Sequence, residues 1–170
     1  MIFLDCFEGF SITFVRVYER RNGMSLYKQI LIAVDLHPDC DDTVISHGVD
    51  IAKINNANVS IVHAVEHINA YGVAEAYSAV IDVEAQLMEE ARKELAKLGQ
   101  KYNIPTNCQY LDVGSPRAVI LNKSNDIKAD LIVVGSHGRH GLQLLLGSTA
   151  NAVLHNAPCD VLAVRVKDES

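Results

Sequence analysis

The run Ala129-Asp130-Leu131-Ile132-Val133-Val134-Gly135-Ser136-His137-Gly138-Arg139-His140-Gly141 decides the fold: an apolar strand passes straight into a glycine-rich loop, and Gly147-Ser148-Thr149 then opens a helix. Glycine accepts φ > 0 and lets the backbone approach a ligand closely. The first amides of a helix have no carbonyl of their own to bond, so they face any anion placed there. Strand, glycine loop and helix start, in that order, form the layout of a phosphate cradle.

Working outward, the chain alternates strand and helix. Ile30-Leu31-Ile32-Ala33-Val34 is a continuous β-branched run ending at Asp35, as expected of a strand buried on both faces of a parallel sheet. His37-Pro38-Asp39 breaks it, and Asp41 or Asp42 can cap a helix running to about Asn55, with Val44, Ile45, Gly48, Ile51 and Ala52 on one stripe. Residues 58–65 predict a second strand, followed by a long polar loop with Tyr71, Gly72 and Tyr77. Residues 81–101 predict the longest helix, since Leu87, Ala91, Leu95 and Leu98 repeat at helical spacing while Glu89/Lys93 and Glu90/Glu94 stand on the wet side. Residues 106–113 predict a third strand whose polar Gln109 suits a sheet edge. Gly114-Ser115-Pro116 signals a helix start, with Ser115 as cap and Pro116 in the first turn. A fourth strand at 130–134, a helix at 148–156 and a fifth strand at 159–166 complete the pattern. Right-handed crossovers turn such an alternation into an open, doubly wound α/β sheet with helices on both faces.

The 170 residues, 49% of them hydrophobic, suffice for one core and are too few for two ordinary domains. A net charge of −6 argues against a general nucleic-acid binder, which needs a basic face. Cys6, Cys40, Cys108 and Cys159 show no Cys-x2-Cys pairing and are expected to be reduced thiols in a cytoplasmic protein. The opening segment is interrupted by Asp5 and Glu8, lacks a basic region ahead of its apolar residues and is too short to span a membrane. Residues 1–23 are expected to lie outside the folded core, ahead of a start at Met24, with 24–170 as the domain. The alternative is an accessory strand at residues 11–17.

The stretch from Gly135 through Ala163-Val164-Arg165-Val166 resembles the universal stress protein family, whose nucleotide-binding members carry Gly-x2-Gly-x9-Gly-Ser/Thr at the end of their fourth strand. Gly135-x2-Gly138 matches the first half and Gly147-Ser148 the last, with a spacing one residue short because only residues 139–146 lie between. In a helix, one missing residue turns every later side chain by roughly 100°, whereas a flexible loop containing Gly141 can absorb it. The resemblance covers residues 27–167 and implies a five-stranded parallel sheet in the order 3-2-1-4-5. That order sets strands one and four together where the winding reverses, and ligands of open α/β sheets sit in that crevice.

The resemblance further implies ATP or AMP as ligand, with Mg²⁺ accompanying ATP. Ala33, Val34 and Asp35 then match contacts to base and ribose, and Val62 a contact to the base. Gly135, Gly138, Gly147, Ser148 and Thr149 match the ribose and phosphate cradle, with Ser136, His137 and Arg139 in the same loop. Each has a plainer role as well: Asp35 can cap its own turn, Ser148 its helix, and Arg139 can simply be solvated. His137, His140, His63 and His67 could approach one rim, but no Glu or Cys stands at zinc-ligand spacing among them. There is no Gly-x-Ser-x-Gly elbow or Walker lysine either, so at most slow ATP hydrolysis is expected.

Three classes of function are open. The chain is a nucleotide-binding stress or regulatory module with an unknown regulatory protein as partner, a family member that binds no nucleotide and acts through dimerisation and protein contacts, or a hydrolase or adenylyl-transferring enzyme on a related scaffold. Neither nucleic acid nor membrane is an expected partner. Val161-Leu162-Ala163-Val164-Arg165-Val166 ends the pattern as an apolar strand at a sheet edge, and such an edge predicts a homodimer.

Overall fold

The computed structural model describes residues 12–16, 26–36, 38–68, 76–137 and 147–166. These form, in chain order, β1 (Ile12–Arg16), β2 (Gln29–Ala33), α1 (Pro38–Asn55), β3 (Asn58–Val65), α2 (Ala76–Lys101), β4 (Gln109–Val113), α3 (Pro116–Asp126), β5 (Leu131–His137), α4 (Ser148–Asn156) and β6 (Asp160–Val166). A 3₁₀ turn at Thr106–Cys108 precedes β4. The sheet order is β1-β6-β5-β2-β3-β4. Strands β2 to β6 are mutually parallel and reproduce the expected order 3-2-1-4-5.

Side chains alternate across each strand, so the sheet sorts its apolar residues into two cores. Ile30, Ile32, Ile61, Leu131, Val133, Leu162 and Val164 pack with Val44, Ile45 and Ala52 of α1 and Leu95 of α2. Leu31, Val62, Ile132, Val134, Val161 and Ala163 pack with Val119 and Ile120 of α3 and Ala150 and Val153 of α4. Both faces are apolar because both are covered. Gly48 sets how closely α1 approaches, since a Cβ there would collide with the Ile32 side chain. The opposite ends of the strands are tied by Asp130, whose carboxylate accepts from the amides of Lys28 and Gln29 at 2.8 and 3.0 Å.

Several boundaries differ from the sequence reading for identifiable reasons. Helix α1 begins at Pro38, because a proline fits a first turn, and Asp42 lies inside it rather than at its cap. Leu87 is 39% exposed instead of buried. The described residues of the N-terminal half of α2 are largely exposed, and the helix buries Ala91 and Leu95 further along. Ser115 occupies the cap position of α3 without a side-chain cap hydrogen bond.

The larger difference is β1. The sheet has a sixth strand, because Ile12–Arg16 pairs antiparallel with β6, with Phe14 opposite Ala163, Val15 opposite Leu162 and Arg16 opposite Val161. Part of the segment ahead of Met24 is thus a strand at the margin of the sheet, within the range 11–17 named above. The remainder of residues 1–23 lies outside the described residues. It follows that β6 is not an edge within the monomer.

Candidate functional site

Strands β5 and β2 are adjacent, and their outer neighbours β6 and β3 lead away on opposite sides. Beyond their carboxyl ends lies a cavity of about 420 Å³. Ala33, Val34 and Asp35 reach it from the end of β2, Val62 from β3, Gly135 from β5 and Thr149 from α4. These six come from four segments far apart in sequence, as the crossover geometry requires. Val34 and Val62 are nearly or fully buried and form the apolar wall, while Asp35 is exposed at the mouth.

The other candidates stand differently. Ser136 is buried and does not line the cavity. His137 ends β5, and Gly138 and Arg139, with His140, lie outside the described residues. Gly147 is the cap residue of α4 and Ser148 its first helical residue; no side-chain cap hydrogen bond is made, so Ser148 is not the cap. The first amide bond inside α4 runs from Asn151 N to Gly147 O at 2.9 Å. The amides of Ser148, Thr149 and Ala150 thus have no carbonyl within the helix and present its positive end beside the cavity. Thr149, which follows the shortened spacing, lines the crevice.

The lining also includes His63, one of the histidines expected near the rim, and residues that the sequence did not single out for this cavity: Ala64 and Glu66 after it, Val134 on β5, Val44 on α1, and Pro116 and Ile120 on α3. His63 had a legible signal, being the one polar residue in Ile61-Val62-His63-Ala64-Val65. Its Nδ1 lies 2.8 Å from the Val34 carbonyl, which can only accept, so Nδ1 carries the hydrogen and the ring braces β3 against β2. In the neutral ring Nε2 is then an acceptor. His67 instead pairs with Glu84, its Nδ1 3.4 Å from Oε1. Among the described residues no group of three His, Cys, Asp or Glu is arranged to hold a metal ion.

Directly after Asp35, Leu36 adopts φ 61°, a left-handed conformation that costs a branched residue about 1 kcal/mol or more. A conformation of this kind persists only where the surrounding fold fixes it. The lining carries the carboxylates of Asp35 and Glu66 and, through Thr149, the first turn of α4.

Residues 26–165 match the sequence profile of the universal stress protein family. The chain belongs to that family. Universal stress protein A homolog 2 of Coxiella burnetii is 46% identical over 144 residues, covering 85% of this chain and 99% of the relative. Among solved structures, the universal stress protein UspA from Lactobacillus plantarum superposes with a TM-score of 0.69 at 22% identity, covering 85% of this chain and 100% of that one. A universal stress protein family protein from Arabidopsis thaliana with AMP bound has a TM-score of 0.54 at 14% identity, covering 84% and 94%. This universal stress protein therefore has the family's parallel sheet, with β1 lying ahead of the matched residues. Among the described residues no helix is long and apolar enough to cross a membrane.

Proposed function

We propose that this universal stress protein is a cytoplasmic regulatory module that binds ATP or AMP in the β2/β5 crevice. The observation that carries the reading is Gly147. Its φ of −54° and ψ of 158° are open to any residue, and among the described residues nothing lies within 4 Å of a Cβ built there. Among the described residues the start of α4 is therefore open beside the cavity, which leaves room for a ligand against its first amides. A cavity of this size falls in the ~300–1,000 Å³ range of small-molecule sites. The chemistry of the groups suits a nucleotide: the Ser148–Ala150 amides would take phosphates, Asp35 would accept from ribose hydroxyls, and Val34 and Val62 would carry the base. The AMP-bound relative supports the ligand class. Mg²⁺ would accompany ATP by neutralising its phosphates. No residue of the crevice is assigned a bond-breaking role; occupancy would order the surface around α4 that a partner protein reads.

Gly147→Val tests this with the fold as control. Calorimetric titration of nucleotide-stripped protein should show at least a tenfold loss of ATP and AMP affinity at unchanged melting temperature. Equal affinity in the folded variant would remove Gly147 from the site. A wild type that binds neither nucleotide, and copurifies with none by mass spectrometry, would favour the second reading, a family member acting only through self-association and protein contacts.

A further inference from the structure

Strand β1 pairs with β6 although it lies ahead of the residues matched by the family profile, 26–165. Its sequence explains its choice of partner. Phe14-Val15-Arg16-Val17 repeats Ala163-Val164-Arg165-Val166 at three of four positions, so β1 and the residue after it carry the Val-Arg-Val of the very strand that β1 covers.

The register makes this more than a resemblance of composition. Phe14 faces Ala163, Val15 faces Leu162 and Arg16 faces Val161, and a register shift ahead of Phe14 then sets Ile12 opposite Val164, so the match holds over the three residues 14–16. Put in place of Phe14, Val15 and Arg16 the β6 residues that hold the same positions in the repeat, namely Ala163, Val164 and Arg165. Ala163 then faces Ala163 of a second copy, Val164 faces Leu162, and Arg165 faces Val161. This is an antiparallel self-pairing with a two-fold axis through Ala163. Any such pairing has an axis somewhere along the strand, and here it falls at the middle residue of Asp160–Val166, so that all of β6 is paired.

We infer that β1 stands in for β6 of a second copy of this chain: docked, it keeps the protein monomeric, and released, it exposes an edge on which two copies join through β6. The two states exclude each other, because β6 has one unpaired row of N–H and C=O groups beyond β5. The exposed edge would run along Val161, Leu162, Ala163 and Val164, all at 0–4% exposure with β1 in place. An edge whose centre is apolar and free of proline is a template for another chain. Docking of β1 is intramolecular, so the chain's own strand prevails until it is weakened or removed. This inference is independent of nucleotide binding.

The test leaves the pairing groups of β6 untouched. Phe14→Pro with Val15→Pro, in the full chain, removes the ladder donor of β1 whichever of the two residues points its N–H at β6. Sedimentation at about 10 μM, far below the millimolar effective concentration of a strand on a short linker, should find the wild type monomeric and the double variant dimeric. Adding Ala163→Cys then probes the register, since directly opposed residues of antiparallel strands have Cα atoms about 4.5–5.5 Å apart, within disulfide reach. A covalent dimer should form on air oxidation when Ala163→Cys is combined with the two prolines, and not when β1 is intact or when Ala163 is retained. A folded double variant that stays monomeric, a wild type that dimerises equally well, or a dimer that fails to cross-link at position 163 would each overturn the inference. So would unfolding of the double variant, because a strand the fold cannot spare is not a displaceable one.

Discussion

The two flanks of the sheet are protected by different means. On one flank, β4 leaves all five residues partly or fully exposed and secures itself with its own side chains. Gln109 donates to the Ile104 carbonyl at 2.8 Å, and Lys123 sits 4.7 Å over the Tyr110 ring and 3.8 Å from the Asp112 carboxylate. Such polar decoration blunts an edge. On the other flank, β6 buries six of its seven residues, Arg165 being the exception, and is covered by the backbone of β1. The first edge is complete within its own neighbourhood, while the second depends on a strand borrowed from far along the chain.

Proline substitution should separate the flanks most widely. Ala163 is fully buried and lies between Val134 of β5 and Phe14 of β1. Ala163→Pro removes a ladder donor, leaves a buried acceptor unpaired and fixes φ, so a loss of about 3 kcal/mol or more is expected in denaturant unfolding. Asp112→Pro, on an exposed position paired on one side only, should cost less than half of that. Comparable losses would show that the two edges are held alike.

A double-mutant cycle on the β4 flank is expected to give an intermediate effect. A Cβ at Gly99 of α2 would run into the Gln109 amide, which would have to leave Ile104. Gly99→Ala should therefore lose its usual helix-interior gain, and Gln109→Ala alone should cost about 1 kcal/mol for the lost hydrogen bond. With Gln109→Ala already present, Gly99→Ala should instead stabilise by about 0.5–1 kcal/mol. Additive effects would mean that Gln109 is not what secures this flank.

This contrast also shows what a sequence can disclose. Gln109 marked β4 as an edge because its polarity interrupts an apolar run locally. Asp35, Gly135 and Thr149 could be placed in one crevice because strand-helix alternation and crossover handedness constrain where strand ends meet. His63 was visible as a polar residue, but its bond to Val34 depends on the neighbouring strand. What β1 pairs with depends on residues about 150 positions away, and no local period reports it. The clue was the repeated Val-Arg-Val, which acquires meaning only when the strands are seen side by side.

The smallest expected effect concerns pH, and it too should fall on the flank built from side chains. Asp42 of α1 accepts from Lys101 Nζ at 2.6 and 2.8 Å and from the Tyr102 hydroxyl at 2.7 Å, fastening α1 to the end of the helix beside β4. The hydrogen bond from Lys101, followed by that from Tyr102, holds the Asp42 carboxyl below its ordinary value of 3.8. A carboxyl so lowered stabilises the fold fully above the ordinary value, and that contribution drains away as pH falls through the lowered one. Asp42 and Lys101 are each about half exposed, so solvent screening keeps the contribution modest. Urea midpoints at about pH 6 and about pH 3 should differ less in Asp42→Asn than in the wild type, with the variant weaker chiefly at the higher pH. Pairing of β1 with β6 uses neutral backbone groups, so the proline variants of β1 should keep the wild-type difference between the two pH values. An Asp42→Asn variant with an unchanged difference would detach this carboxylate from the acid response of the β4 flank.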